Sequence, residues 1–132
     1  MGIISKRSNL INTVFIFFDG DKIGDRIEAL LLDGQLNEAG ILSDKIEKAF
    51  HDLKMAIERL PSTHIWLYGG DDLIVEIPTA SVMLQDLEKL RLEYKQKCDV
   101  SISAGAGTTI QQALENLRRA KVSGRDKIVG LI

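Results

Sequence analysis

The sequence predicts an α/β (α+β) sandwich, a mostly antiparallel sheet with helices packed on one face of it. Three observations carry this. Apolar runs of strand length alternate with stripes of helical period in the order β α α β β α β α β. Two of the strands are joined directly, through Gly69 and Gly70, as in a hairpin. Helices that share the chain with hairpin-linked strands pack against an antiparallel or mixed sheet. The 132 residues suit one domain over residues 1–132, and a hydrophobic content of 45% is enough for a core.

Residues 10–18 form the first strand, rich in β-branched and aromatic side chains without clean alternation, as expected of a central strand covered on both faces. A tight loop from Asp19 to Gly24 follows, in which Asp21 can cap the next helix. That helix carries Ile23, Ile27, Leu30 and Leu31 at helical spacing and ends near Gly34. A longer helix over 38–60 presents Leu42, Ile46, Ala49, Phe50, Leu53, Ile57 and Leu60 as one stripe and stops at Pro61. The hairpin occupies 64–77 and ends at Pro78, after which Thr79 or Ser81 can cap a helix with Leu84, Leu87, Leu90 and Tyr94 on its inner side. A small-residue strand follows over 99–106. Thr108 or Thr109 then caps a helix from Ile110 to Val122, Gly124 ends it, and residues 127–132 form the last strand.

Composition removes several functional classes. A net charge of −2 offers no basic field for duplex nucleic acid. The single cysteine, Cys98, allows no disulfide framework and fits a reducing, cytoplasmic setting. With only His51 and His64 as companions it reads as a core residue rather than a nucleophile or zinc ligand. No apolar run approaches the ~20 residues of a membrane span. Lys6 and Arg7 imitate the start of a signal peptide, but no small-residue cleavage site follows the apolar run after them.

Acids stand at two strand ends. Val14–Phe18 runs into Asp19-Gly20-Asp21, and the hairpin Ile65–Val75 turns through Gly69-Gly70-Asp71-Asp72. Taken alone, the second stretch reads equally well as an ordinary hairpin with solvated acids. Two strands that each deliver carboxylates at one end can instead build a site for Mg²⁺ or Mn²⁺. Two such ions about 4 Å apart can hold a triphosphate and activate a hydroxyl.

Three segments, in this order, resemble the nucleotide-cyclising palm domains: Phe18-Asp19-Gly20-Asp21-Lys22-Ile23-Gly24, Tyr68-Gly69-Gly70-Asp71-Asp72, and Ala120-Lys121-Val122-Ser123-Gly124-Arg125-Asp126. The group has a ferredoxin-like polymerase/cyclase palm. It includes the GGDEF diguanylate cyclases, the palm of the large subunit of type III CRISPR complexes and, most similar in length and motifs, the stand-alone minimal CRISPR polymerases. The third segment is similar to the Ala-Lys-x-x-Gly-Arg-Asn stretch of GGDEF domains.

The resemblance implies roles. Asp19, Asp71 and Asp72 would be the catalytic acids and, with the Gly20 carbonyl, the ligands of a two-metal Mg²⁺ or Mn²⁺ site. The amides of Gly20, Asp21, Lys22 and Ile23, the hairpin glycines Gly69 and Gly70, and the side chains of Lys121 and Arg125 would hold the nucleotide and its phosphates. For Lys121 and Arg125 the plainer reading is a solvated basic helix end satisfying the dipole. The implied reaction is nucleotidyl transfer to a cyclic di- or oligonucleotide by a homodimer with facing sites. In GGDEF domains an Asn and an Asp early in the first helix read guanine; Ile27 and Glu28 stand there, which points to ATP as substrate. The Arg-x-x-Asp of product-inhibited GGDEF domains is also missing, since Ser62 to His64 occupy its place. The resemblance further implies an anti-phage role, with the product sensed by a separate effector protein and no direct membrane insertion by this chain. Two alternatives stay open: a palm-fold enzyme similar to GTP cyclohydrolases of the third type, and a non-catalytic nucleotide sensor.

Overall fold

The computed structural model describes residues 12–131. Its elements are β1 (Thr13–Gly20), α1 (Ile23–Leu32), α2 (Leu36–Glu58), β2 (His64–Gly69), β3 (Asp72–Pro78), α3 (Leu84–Cys98), β4 (Ile102–Gly107), α4 (Ile110–Val122) and β5 (Ile128–Val129), with a short 3₁₀ turn at Thr79–Ser81. The expected start of β1 at residues 10 and 11 and the expected last strand residue Ile132 lie outside the described residues.

The apolar run of β1 takes the middle of a five-stranded sheet of order β2-β3-β1-β4-β5. It pairs antiparallel with β3 and β4, β2 pairs antiparallel with β3, and only β4 to β5 is parallel. Alternation along β1 is cleaner than the sequence implies. Val14, Ile16 and Phe18 are buried, while Phe15 and Phe17 between them are half-buried. The buried set joins Leu73, Val75 and Ile77 of β3 and Ile102, Ala104 and Ala106 of β4. Over them lie Ile46, Ala49, Phe50, Leu53 and Ile57 of α2 and Leu87, Tyr94 and Cys98 of α3. Removing that apolar surface from water is the main force holding the layers together.

One helix departs from the single-face expectation. α4 lies on the opposite face, inserting Ala113, Leu117 and Ala120. β4 permits this because Gly105 and Gly107 stand on that side. A Cβ built on Gly105 would lie 2.1 Å from the Ala113 carbonyl oxygen and 2.1 Å from the Leu117 nitrogen, so helix backbone rests directly on strand backbone.

Local signals explain most element ends. α1 closes on a Schellman motif: Gly34, at φ +72°, donates its N–H to the Leu31 carbonyl, and Gln35 donates to Leu30. α2 ends at Glu58, short of Leu60, because a residue before proline disfavours helical backbone. Thr109 caps α4 as expected, its Oγ1 accepting from the Gln112 N–H at 3.1 Å. Neither Thr79 nor Ser81 caps α3. The cap position is Met83, and Thr79 instead donates to the Asn12 carbonyl. No helix among the described residues is long and apolar enough to cross a membrane.

Candidate active site

Strand register brings the three acids together. Asp19, near the end of β1, stands directly opposite Asp72, the first residue of β3. Asp72 pairs with Gly69 across a two-residue loop of Gly70 and Asp71. Gly70 has φ +60°, at the first loop position where tight hairpins require a glycine. The loop is tied to β1 by the Gly20 N–H, which donates to the Asp71 carbonyl at 3.2 Å. One carboxylate oxygen from each of Asp19, Asp71 and Asp72 lies within 4.8 Å of the others.

That arrangement is costly without a cation, since like charges directly opposite on adjacent strands destabilise a sheet. Burial and a hydrogen bond with Asp72 push Asp19 up to about 6, against the opposing pull of Lys121. Burial and the Asp19 charge raise Asp71. Three hard, half-buried oxygen donors this close together fit Mg²⁺ or Mn²⁺, which would neutralise them.

Two residues beyond Asp19, Asp21 has the opposite character. It is only 5% exposed and does not cap α1. Ser101 Oγ donates to its Oδ2 at 2.7 Å, Ser103 Oγ to its Oδ1 at 2.8 Å, the Asp126 N–H to its Oδ2 at 3.0 Å, and Lys121 Nζ to its Oδ1 at 2.8 Å. Burial alone would raise Asp21, but the bonds from Lys121, Ser101, Ser103 and the Asp126 amide outweigh it and hold the carboxyl below its ordinary range. With its oxygens turned inward, Asp21 supports Lys121 rather than facing a nucleotide. Lys121 Nζ also donates to the carbonyls of Asp19 (3.1 Å) and Gly20 (2.9 Å), and lies 3.2 Å from Asp19 Oδ2.

The expected amide cradle shifts by two residues. The Gly20 and Asp21 amides are already bonded, to Asp71 and Ser101 carbonyls. The helix cap falls on Lys22, in a left-handed conformation (φ 52°) with no side-chain cap, so the amides from Lys22 to Asp25 have no partner among the described residues. Unpaired donors at the positive end of a helix suit a phosphate. A Cβ on Gly20 would meet the end of the Ile23 side chain, Cδ1 at 2.2 Å, and would push it aside.

Beside the hairpin tip opens a cleft of about 530 Å³ between α2 and β2. Ile23, Phe50 and Tyr68 give it apolar walls, Ser43 and Glu47 a polar edge, and Gly69 to Asp71 one end. Phe50 and Tyr68 stack with ring centroids 5.5 Å apart. Neither Ile27 nor Glu28 lines this cleft. Another cleft, between α2 and α3, contains His51 but none of the three acids.

Arg125 sits past the end of α4 with Asp126, both left-handed at φ +62° and +55°. Its Nε is buried and makes no hydrogen bond among the described residues. Cys98 is a buried core residue, with burial raising its thiol.

Ser101, Ser103, Asp126 and Arg91 are missed by the sequence reading. Arg91 of α3 bonds the Asp126 carbonyl at 3.0 Å and its carboxylate, while also pairing with Glu88. Two serines at strand spacing inside a buried strand are the only sequence signal of this support.

A family model described as the minimal CRISPR polymerase domain matches residues 15–131. None of the curated proteins matches at a significant level. Solved structures share the fold. An active GGEEF domain of a diguanylate cyclase from Vibrio cholerae superposes with a TM-score of 0.57 at 12% identity, over 96% of this chain and 86% of that one. A microbial GGDEF domain studied with bis-(3′,5′)-cyclic di-GMP gives 0.65 at 15% identity, over 97% and 82%. A Csm1–Csm4 cassette in complex with cA3 gives 0.63 at 16% identity over 89% of this chain, which spans only 20% of the matched chain.

Proposed function

The chain belongs to the minimal CRISPR polymerase family, and on that premise we propose that it is a metal-dependent nucleotidyltransferase making a cyclic di- or oligonucleotide from ATP. The observation that carries this reading is the convergence of Asp19, Asp71 and Asp72 within 4.8 Å, with Asp19 and Asp71 both resisting ionisation. These three acids, with the Gly20 carbonyl, would hold Mg²⁺ or Mn²⁺. Bound there, the ions would supply a lowered pKa for a ribose hydroxyl and neutralising charge for the α-phosphate and the leaving pyrophosphate.

The chain's own groups do the rest. The amides from Lys22 to Asp25 receive phosphate oxygens at the start of α1. Lys121 and Arg125 offset the charge of the β- and γ-phosphates. Gly69 and Gly70 let the nucleotide approach the hairpin backbone. The base enters the cleft between α2 and β2, where Phe50 and Tyr68 supply apolar surface. A Csm1–Csm4 cassette that shares this fold is in complex with cA3, which favours ATP; Ile27 does not line the cleft and has no part in this choice of base. Ring closure needs two activated nucleotides facing each other, which two copies related by a two-fold axis provide. The product serves as an anti-phage signal read by a separate effector protein.

The test is a product assay. The purified protein is incubated with ATP, GTP, CTP or UTP and Mg²⁺ or Mn²⁺, and the products are weighed by mass spectrometry. A cyclic adenylate that disappears when Asp71→Ala and Asp72→Ala are combined supports the reading. Nucleotides left intact under every condition, or a ring-opened guanine product, would overturn it.

A further inference from the structure

Lys121 has more oxygen partners than a phosphate-binding lysine needs. Its ammonium lies 2.8 Å from Asp21 Oδ1, 2.9 Å from the Gly20 carbonyl, 3.1 Å from the Asp19 carbonyl and 3.2 Å from Asp19 Oδ2. Four oxygens surround a group with three N–H bonds, so the ammonium sits among them much as a coordinated cation does. Two of the four, the Asp19 carboxylate and the Gly20 carbonyl, are oxygens that the proposed metal site would use. The remaining strong partner, Asp21, is fixed from behind by Ser101, Ser103 and the Asp126 amide.

We propose that Lys121 is the resident counter-ion of the acidic site, pivoting on Asp21 and competing with a divalent cation for Asp19 and Gly20 until a triphosphate draws it away. The inference rests on the metal-and-nucleotide reading above and adds an order of events to it. A metal ion arriving alone meets a positive charge in contact with two of its ligands, and binds weakly. A triphosphate offers the ammonium new acceptors within reach of α4, and so releases Asp19 and the Gly20 carbonyl to the ion. Asp21 is a positioning residue in this scheme, acting only through Lys121. A lysine that merely awaited phosphate, its ammonium clear of the ion's ligands, would weaken the affinity for metal alone far less.

The experiment measures Mn²⁺ binding without nucleotide, from the loss of the free-ion electron paramagnetic resonance signal, with thermal melting as the control for folding. Lys121→Met and Lys121→Gln are expected to bind Mn²⁺ about tenfold more tightly than the unaltered chain, because a nearby like charge has been removed. Equal or weaker binding in both variants would overturn the inference and leave the proposed function standing. No Mn²⁺ binding in any of the three proteins would overturn both. A second readout needs no variant. In ¹⁵N-lysine spectra of the metal-free protein, the Lys121 ammonium gives a resonance protected from exchange, which Mg²⁺ and α,β-methylene ATP together shift. A resonance that stays in place when both bind would overturn the competition.

Discussion

Asp19 and Asp21 are two residues apart at the end of one strand, yet they live in opposite states. Every oxygen of Asp21 is turned to a donor, and the carboxyl is held below its ordinary range. Asp19 faces Asp72 across the sheet and is pushed up to about 6. On the proposed function, the difference separates scaffold from site: a buried acid whose bonds are complete holds the fold together, whereas one left in conflict with its neighbours would be relieved by a cation. Lys121 touches both and links the two roles.

The contrast can be broken most severely at Asp21. Asp21→Ala removes the buried acceptor shared by Lys121, two serines and the Asp126 amide, and is expected to destabilise the protein by about 3 kcal/mol, read by urea unfolding. The support under Lys121 depends next on α4 lying tight against β4. Gly105→Ala drives a methyl into the Ala113 carbonyl and is expected to cost about 2 kcal/mol by the same measurement. At the site the sign reverses. Asp72→Asn relieves the repulsion with Asp19 and is expected to stabilise the metal-free protein by about 0.5 kcal/mol while abolishing product formation.

The pH dependence sharpens the same comparison. Asp19 has a folded pKa raised from 3.8 to about 6, so the native state holds the extra proton between those values. Its contribution therefore makes the metal-free protein lose stability as pH rises from about 4 through about 6. Asp21 has a lowered folded pKa, so its contribution is present above 3.8 and is lost as pH falls through the lower folded value. Thermal melts of Asp19→Asn should show a much smaller first decline across pH 4–7, while melts below pH 3.8 should keep the loss due to Asp21.

Much of this was legible from residues alone. The apolar run 14–18, the hairpin and the amphipathic stripes produce the observed element order, and the acids at two strand ends do meet, at one end of the adjacent strands β1 and β3. What was not legible depends on lateral register. The sequence shows Asp21 before a helix, where capping is the usual role. Only the antiparallel pairing of β1 with β4 sets Asp19 opposite Ser103 and carries the serines to Asp21, 80 and 82 positions away. The side of the sheet taken by α4 was equally hidden, because a strand of alternating Ala and Gly admits a helix on its glycine side without any apolar signal there.

The most direct measurement is the melting temperature at pH 7.5 with and without Mg²⁺ and α,β-methylene ATP, on the unaltered chain and on a variant combining Asp19→Asn with Asp72→Asn. The account predicts stabilisation of the unaltered chain, by about 2.7 kcal/mol at a ligand concentration of 100 times Kd, and none of the variant. An unmoved melting temperature, or an equal rise in both proteins, would contradict the assignment of the three acids as a cation and triphosphate site.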